Sequence, residues 1–186
     1  MINHIDVSVV LRGTVCDLYS NLVTRPTGAA VRAEIEQQLA EIGGRTLTVI
    51  DFTHVGLLDF SCADEIVAKL LLKYTDDGEA REREGYFLFR GLNDSHHDAI
   101  EAVLERHNLA IVAQGPEGEP QLLGIVDDGE RLAWEVVCRL GAADCDDLAE
   151  AAGLPAPDAE RLLNALRRRR LVMRVEDVYV PVGLAR

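Results

Sequence analysis

The chain reads as an α/β protein with a mixed sheet and helices packed on it, followed by a small C-terminal unit of three helices and a β-hairpin. Three observations point there. Short β-branched runs alternate with amphipathic helical stretches as far as about residue 127. A hairpin signal, "GPEGEP" (115–120), separates "LAIVAQ" from "QLLGIV". Beyond Asp127 the pattern changes to closely spaced helices and a terminal ribbon, so the expected division is 1–127 and 128–186.

In chain order, "IDVSVVL" (5–11) and "TVCDLYSNL" (14–22) flank Arg12-Gly13, which predicts an antiparallel strand pair. "TRPTG" (24–28) starts a helix with Thr27 as N-cap, and Val31, Ile35, Leu39 and Ile42 follow helical spacing up to Gly43-Gly44. "TLTVIDF" (46–52) is a buried central strand. After Leu58-Asp59-Phe60-Ser61, the positions Ala63, Ile66, Val67, Leu70, Leu71 and Tyr74 form one helical face. "TDDGEAREREG" (75–85) is a charged link, "YFLF" (86–89) a strand, and "SHHDAIEAVLERHN" (95–108) a helix with Ile100, Val103, Leu104 and His107 inward. His96 and His97 point about 100° apart on a helix, so they read as solvated helix-start residues, not as a metal pair.

In the C-terminal unit, 129–141, 144–154 and 155–170 are helices, with Pro157 in a tolerated first-turn position. "LVMRV", "ED" and "VYVPV" make the hairpin. Three helices, a glycine-containing turn between the second and third, and a two-stranded ribbon make the winged helix-turn-helix pattern.

Composition narrows the function classes. Of 186 residues, 48% are hydrophobic, enough for a folded core. No apolar stretch reaches the roughly 18–20 residues that span a bilayer, and the N-terminus lacks the basic start of a signal peptide. A cytoplasmic protein is expected, with Cys16, Cys62, Cys138 and Cys145 reduced. The formal charge of −13 is uneven: 21 acidic and 10 basic side chains in 1–127 against 11 and 9 in 128–186. The acidic first part repels phosphates and anionic lipid, so no membrane partner is expected.

The sequence lacks a glycine-rich phosphate loop, HExxH and GxSxG, so no enzyme and no cofactor are expected. Cys62 with His54 offers a nucleophile but no orienting third group, and Asp51, Asp59, Asp64 and Glu65 offer at most an adventitious Mg²⁺ site. No resident metal is expected.

The strand "TLTVIDFTHV", the pivot "LLDFS" and the helix "CADEIVAKLLLKY" resemble the core of a STAS domain, the module of anti-sigma factor antagonists, over roughly residues 1–127. Asp59-Phe60-Ser61-Cys62 stands where that family carries a D-S-S-G-like stretch, with Phe60 for the first serine and Cys62 for the glycine. The resemblance makes Ser61 the counterpart of the phosphorylated serine or threonine. It implies a regulatory protein that binds a GHKL-type kinase or anti-sigma factor through Asp59, Ser61, Cys62 and Asp64. A plain helix cap is the competing account of Ser61, which Asp64 completes as a short capping box and for which Asp59 can substitute.

The winged helix raises DNA binding as the alternative. With Ala159, Leu162, Leu163 and Leu166 inward, the third helix shows Asp158, Glu160, Arg161 and Asn164 outward, and two of the four are acidic. Arg161, Asn164, Arg167, Arg168 and Arg174 are candidate contacts to DNA or to a partner. The basic run 167–170 and Arg174 are equally suited to dock on the acidic first part. A protein contact or a homodimer is therefore favoured over DNA.

Overall fold

The computed structural model describes residues 2–18, 20–42, 45–75 and 84–183. The chain is α/β, with a mixed five-stranded sheet in the order β1-β2-β3-β4-β5. β1 (Ile2–Asp6), β2 (Thr46–Asp51), β3 (Gly85–Arg90) and β4 (Ala110–Gln114) are parallel, and β5 (Pro120–Gly124) returns antiparallel to β4. The return is the tight turn read at "GPEGEP", closed by Gly115 N–H on Glu119 O at 2.7 Å, with Gly118 at φ +89°.

The first expectation fails at once. Residues 7–14 are not a strand but α1 (Val7–Thr14), running directly out of β1. Asp6 is its N-cap and accepts from the N–H groups of Ser8 and Val9, while Val7, Val10 and Leu11 are buried at helical spacing. The β-branched composition suggested a strand; the cap and the spacing made a helix. Among the described residues, the second run of that pair contributes only Leu22, in an isolated parallel bridge to Leu58. α2 (Arg25–Glu41) is capped by Thr24, three residues before the expected Thr27, with Pro26 in its first turn. Gly43, Gly44 and most of the charged link 75–85 lie outside the described residues.

Between β2 and β3 the chain forms α3 (Phe60–Ala63), a π-helical segment (Asp64–Lys69) and α4 (Leu70–Tyr74) without a break. α5 (Asp94–His107) joins β3 to β4. Every parallel crossover moves one strand in the same direction, so α1 to α5 pack on one face of the sheet. Ile5, Ile50, Phe87, Phe89 and Ile111 face them in the larger core.

A parallel sheet needs cover on both faces. The opposite face carries Leu47, Tyr86, Leu88, Ala110 and Val112, and the C-terminal elements cover it. These are α6 (Asp128–Leu140), α7 (Cys145–Ala152), α8 (Ala156–Arg168) and the ribbon β6 (Val172–Val175) with β7 (Val178–Pro181). Ala133, Trp134, Val137, Leu163, Leu166 and Val182 share one hydrophobic cluster with the sheet residues. The described residues after Asp127 therefore share a hydrophobic cluster with this face of the sheet. Among the described residues, no helix is long and apolar enough to cross a membrane.

Candidate functional site

β2 ends in Asp51, and the loop after it is pinned from three sides. Its strand-like part runs beside residues 20–22: Leu22 N–H donates to Leu57 O at 2.7 Å, Asp59 N–H to Leu22 O at 2.8 Å, and Gly56 N–H to Ser20 O at 2.7 Å. Asn21 Oδ1 accepts from Leu57 N–H at 2.9 Å, and His96 Nε2 lies 2.9 Å from Gly56 O. His96 is fully buried, so the expectation of a solvated helix-start residue is wrong for it; its ring also closes the capping box of α5 with Asn93. Leu22 and Leu58 turn into the core, which leaves Val23 and Leu57 exposed beside the head of α3.

At that head the capping carboxylate is Asp59, not Ser61. Asp59 Oδ1 accepts from Cys62 N–H at 2.8 Å, and the half-buried Ser61 donates its hydroxyl to Oδ1 at 2.8 Å and to Oδ2 at 3.1 Å. The short capping box with Asp64 does not form. Burial pushes the Asp59 carboxyl up, but the Cys62 N–H and the Ser61 hydroxyl outweigh it and hold it below the ordinary aspartate value.

Two of the four expected contact residues lie inside the protein. Cys62 is fully buried, its thiol donating to Thr24 O at 3.0 Å; burial and the nearby Asp59 push its pKa up to about 11. That is the reverse of an activated thiol. Asp64 is buried as well, and so is Glu65 beside it. Their charges are met by a ring of bases that sequence reasoning did not anticipate. Arg25 Nη1 lies 2.8 Å from Asp64 Oδ2 and 2.7 Å from Glu65 Oε1. His107 Nε2 lies 2.7 Å from Asp64 Oδ1, and Arg32 and Lys69 complete the coordination of Glu65. Burial raises both carboxyl pKa values, but these partners outweigh it and lower them. The partly legible signal was the pair of acids four and five residues into a helix whose neighbours were apolar.

A second polar cluster lies where β1, β2 and β3 end, at Asp6, Asp51 and Arg90 in direct register. The buried Asp51 accepts from Arg90 Nε at 2.8 Å, Thr53 N–H at 2.9 Å and Thr53 Oγ1 at 2.5 Å, with His4 Nε2 at 2.9 Å. Its carboxyl is strongly depressed, because these bonds outweigh the burial that opposes ionisation. The cluster fixes the ends of the strands and the start of the pivot loop. Among the described residues, no three His, Cys, Asp or Glu side chains gather to hold a metal ion.

Of the C-terminal candidates, Arg167 and Asn164 are held within the chain, while Arg161, Arg168 and Arg174 are exposed. Arg167 Nη2 lies 2.7 Å from Glu84 Oε1. Arg45 pairs with the same carboxylate at 2.5 Å and donates to Arg174 O at 2.5 Å. Arg169 pairs with Glu130 and bonds to Ile125 O, while Arg170 donates to Tyr74 O at 2.9 Å and lies over the Tyr86 ring. Asn164, expected outward, is half-buried and accepts from Tyr179 OH at 3.2 Å. Arg161 is exposed and Asp158 lies 3.8 Å away; Arg174 lies 3.6 Å from Asp177. Arg168 is exposed at the end of α8 and has an interaction of its own.

Comparison with protein-family models, with curated proteins and with solved structures returned no match.

Proposed function

We propose that this chain is a non-enzymatic signalling module, STAS-like in its first part and winged-helix-like in its second. It binds a protein partner at the head of α3, with Ser61 as the residue a kinase modifies. The partner class is a GHKL-type kinase or anti-sigma factor, by analogy with the anti-sigma factor antagonists whose STAS core residues 1–127 resemble. The observation that carries the reading is the Ser61 hydroxyl, half-exposed and hydrogen-bonded to the carboxylate that caps its own helix. The contact surface is narrower than the sequence suggests: Asp59 and Ser61 belong to it, with the exposed Val23 and Leu57, while Cys62 and Asp64 support it from inside.

The geometry supplies a mechanism. Transfer of the γ-phosphoryl group of ATP to Ser61 Oγ releases ADP and the hydroxyl proton. The hydroxyl then no longer donates to Asp59, and a dianion stands beside that carboxylate. Like charges at hydrogen-bond distance repel, so Asp59 is driven off the Cys62 N–H or the phosphate is turned outward. The first movement acts on the loop that presents Leu57, and the second sets a dianion on the contact surface. DNA binding draws less support, because Arg167, Arg169 and Arg170 are bonded within the chain and Asp158 and Glu160 flank Arg161.

The test is incubation of the full chain with purified GHKL-type kinases and Mg·ATP, followed by phosphopeptide mapping and co-elution on a sizing column. The expected result is one phosphate on Ser61 and a complex that the unmodified chain forms and the phosphorylated chain does not. Neither phosphate nor complex with any such kinase overturns the reading.

A further inference from the structure

We infer that Arg25 is the internal receptor for a phosphate on Ser61; the inference rests on Ser61 being the modified residue. Ser61 stands three and four residues before Asp64 and Glu65, where α3 runs without a break into the π-helical segment, a spacing that on an α-helix sets neighbours about 5–6 Å apart. Arg25 is already fastened to those two acids, its Nη1 donating to Asp64 Oδ2 at 2.8 Å and to Glu65 Oε1 at 2.7 Å. One nitrogen therefore holds both buried carboxylates, and the Nε–Nη2 edge has no partner among the described residues. That edge is the one a guanidinium uses to grip phosphate bidentately.

The side chain is also placed to serve both roles at once. Arg25 is 47% exposed while the carboxylates beneath it are 8% and 3% exposed, so it lies as a cover over them with its outer edge in solvent. Its backbone is fixed by the same contact that brings the two helix heads together: the Cys62 thiol donates to Thr24 O at 3.0 Å, the residue before Arg25. A phosphate on Ser61 thus meets a cation held one helical turn away and needs no displacement of the Asp64 and Glu65 pairs. Arg32 and Lys69 on Glu65, and His107 on Asp64, keep those acids matched throughout. Asp59 opposes the phosphate on one side and Arg25 receives it on the other, which gives the modified side chain a defined direction, from the cap toward α2.

The experiment installs phosphoserine at position 61 by genetic encoding, so no kinase takes part. Failure of a kinase to modify Ser61 then bears on the proposed function alone, and failure of Arg25 to respond bears on this inference alone. In the parent sequence, the ¹⁵Nε–¹Hε cross-peak of Arg25 should shift on phosphorylation and exchange more slowly with water. By ³¹P titration, the second phosphate pKa should lie about one unit below its value in the same phosphoprotein carrying Arg25→Gln. Arg25→Lys, which keeps the charge but loses the bidentate edge, should fall between them. An unmoved Arg25 cross-peak in the parent overturns the inference whatever the variants do, and so does a phosphate pKa that Arg25→Gln leaves unchanged.

Discussion

Arg167, in the last turn of α8, reaches Glu84 at the start of β3 with Nη2 and Oε1 2.7 Å apart, and Arg45 meets the other oxygen of that carboxylate at 2.5 Å. One glutamate thus ties the C-terminal helices to two positions on the sheet. Burial pushes the Glu84 carboxyl up, but the two guanidiniums outweigh it and hold it below the ordinary glutamate value of 4.5. A depressed carboxyl pKa contributes stability above the unfolded value, and that contribution is lost as pH falls through the folded value. A double-mutant cycle of Glu84→Gln and Arg167→Gln should therefore give a coupling of up to about 1 kcal/mol at pH 7, since both groups are partly solvated. Urea unfolding repeated at pH 3 should show the coupling shrink; no coupling at pH 7 would rule the pair out as a staple, and equal coupling at both pH values would rule out charge as its cause.

Removing the C-terminal elements should be far costlier than breaking that pair. Leu47, Tyr86, Leu88, Ala110 and Val112 are all under 9% exposed because α6, α8 and β7 lie on them. A fragment of residues 1–127 would present this whole face to water, a patch of the kind that drives aggregation. The expected outcome is an aggregated or poorly dispersed fragment by two-dimensional NMR. A monomeric, well-dispersed spectrum would mean that the sheet holds its own without cover. Within the full chain, Leu88→Ala should cost about 2–5 kcal/mol.

Periodicity made most elements legible. Ala159, Leu162, Leu163 and Leu166 are buried in the inward register read for them. The opening failed because Val7, Val9 and Val10 weighed toward a strand, although Asp6-Val7-Ser8 also carried a cap and Val7, Val10 and Leu11 the helical spacing. Which arginines meet acids was not legible, since Arg167 with Glu84 and Arg25 with Glu65 are separated by 83 and 40 residues. At the pivot, sequence identified the turn and the helix it starts. It could not tell that Cys62 and Asp64 point inward, because their burial comes from α2 and α5 packing over the same helix.

The cysteines should separate sharply toward an alkylating reagent. Cys16 is exposed, whereas burial and then the Asp59 charge push Cys62 up to about 11, and burial pushes Cys138 up to about 12. At pH 7 a thiol of pKa near 11 is thiolate in roughly one molecule in ten thousand, and the thiolate is the reacting form. Iodoacetamide under native conditions should label Cys16 and leave Cys62 untouched, with all four labelled after denaturation. Native labelling of Cys62 at a rate similar to Cys16 would contradict its burial.

Two glycines should respond oppositely to alanine. A Cβ on Gly28 would meet the Cys62 Cα at 2.9 Å, a backbone atom that cannot yield without parting α2 from α3. The helix-propensity gain of up to about 1 kcal/mol is then outweighed by overpacking of about 1–3 kcal/mol. A Cβ on Gly13 in α1 meets nothing within 4 Å, so Gly13→Ala should gain about 0.5–1 kcal/mol. Thermal unfolding of both variants decides it; a stabilised Gly28→Ala would show that the two helix heads are not held at this distance.

Asp59 should matter more to folding than Ser61, although Ser61 is the residue proposed to carry the signal. Asp59→Ala removes the acceptor of the Cys62 N–H and should cost about 1 kcal/mol, in the usual range for a lost cap. Asp59→Asn keeps an acceptor and should cost a fraction of that. Ser61→Ala loses one hydroxyl bond at a half-exposed site and should cost less than about 1 kcal/mol. The pH dependence separates charge from shape. The Asp59 carboxyl lies below its ordinary value of 3.8 because the Cys62 N–H and the Ser61 hydroxyl overcome the opposing effect of burial. Its ionic contribution is therefore present above that value and lost as pH falls below it. Between pH 7 and pH 3, urea unfolding of the parent should lose stability that Asp59→Asn never had, so the two should converge in acid. Parallel curves across that range would mean that the carboxylate caps the helix no better than a neutral amide, so that driving it off the Cys62 N–H would cost the helix no more than losing an amide cap.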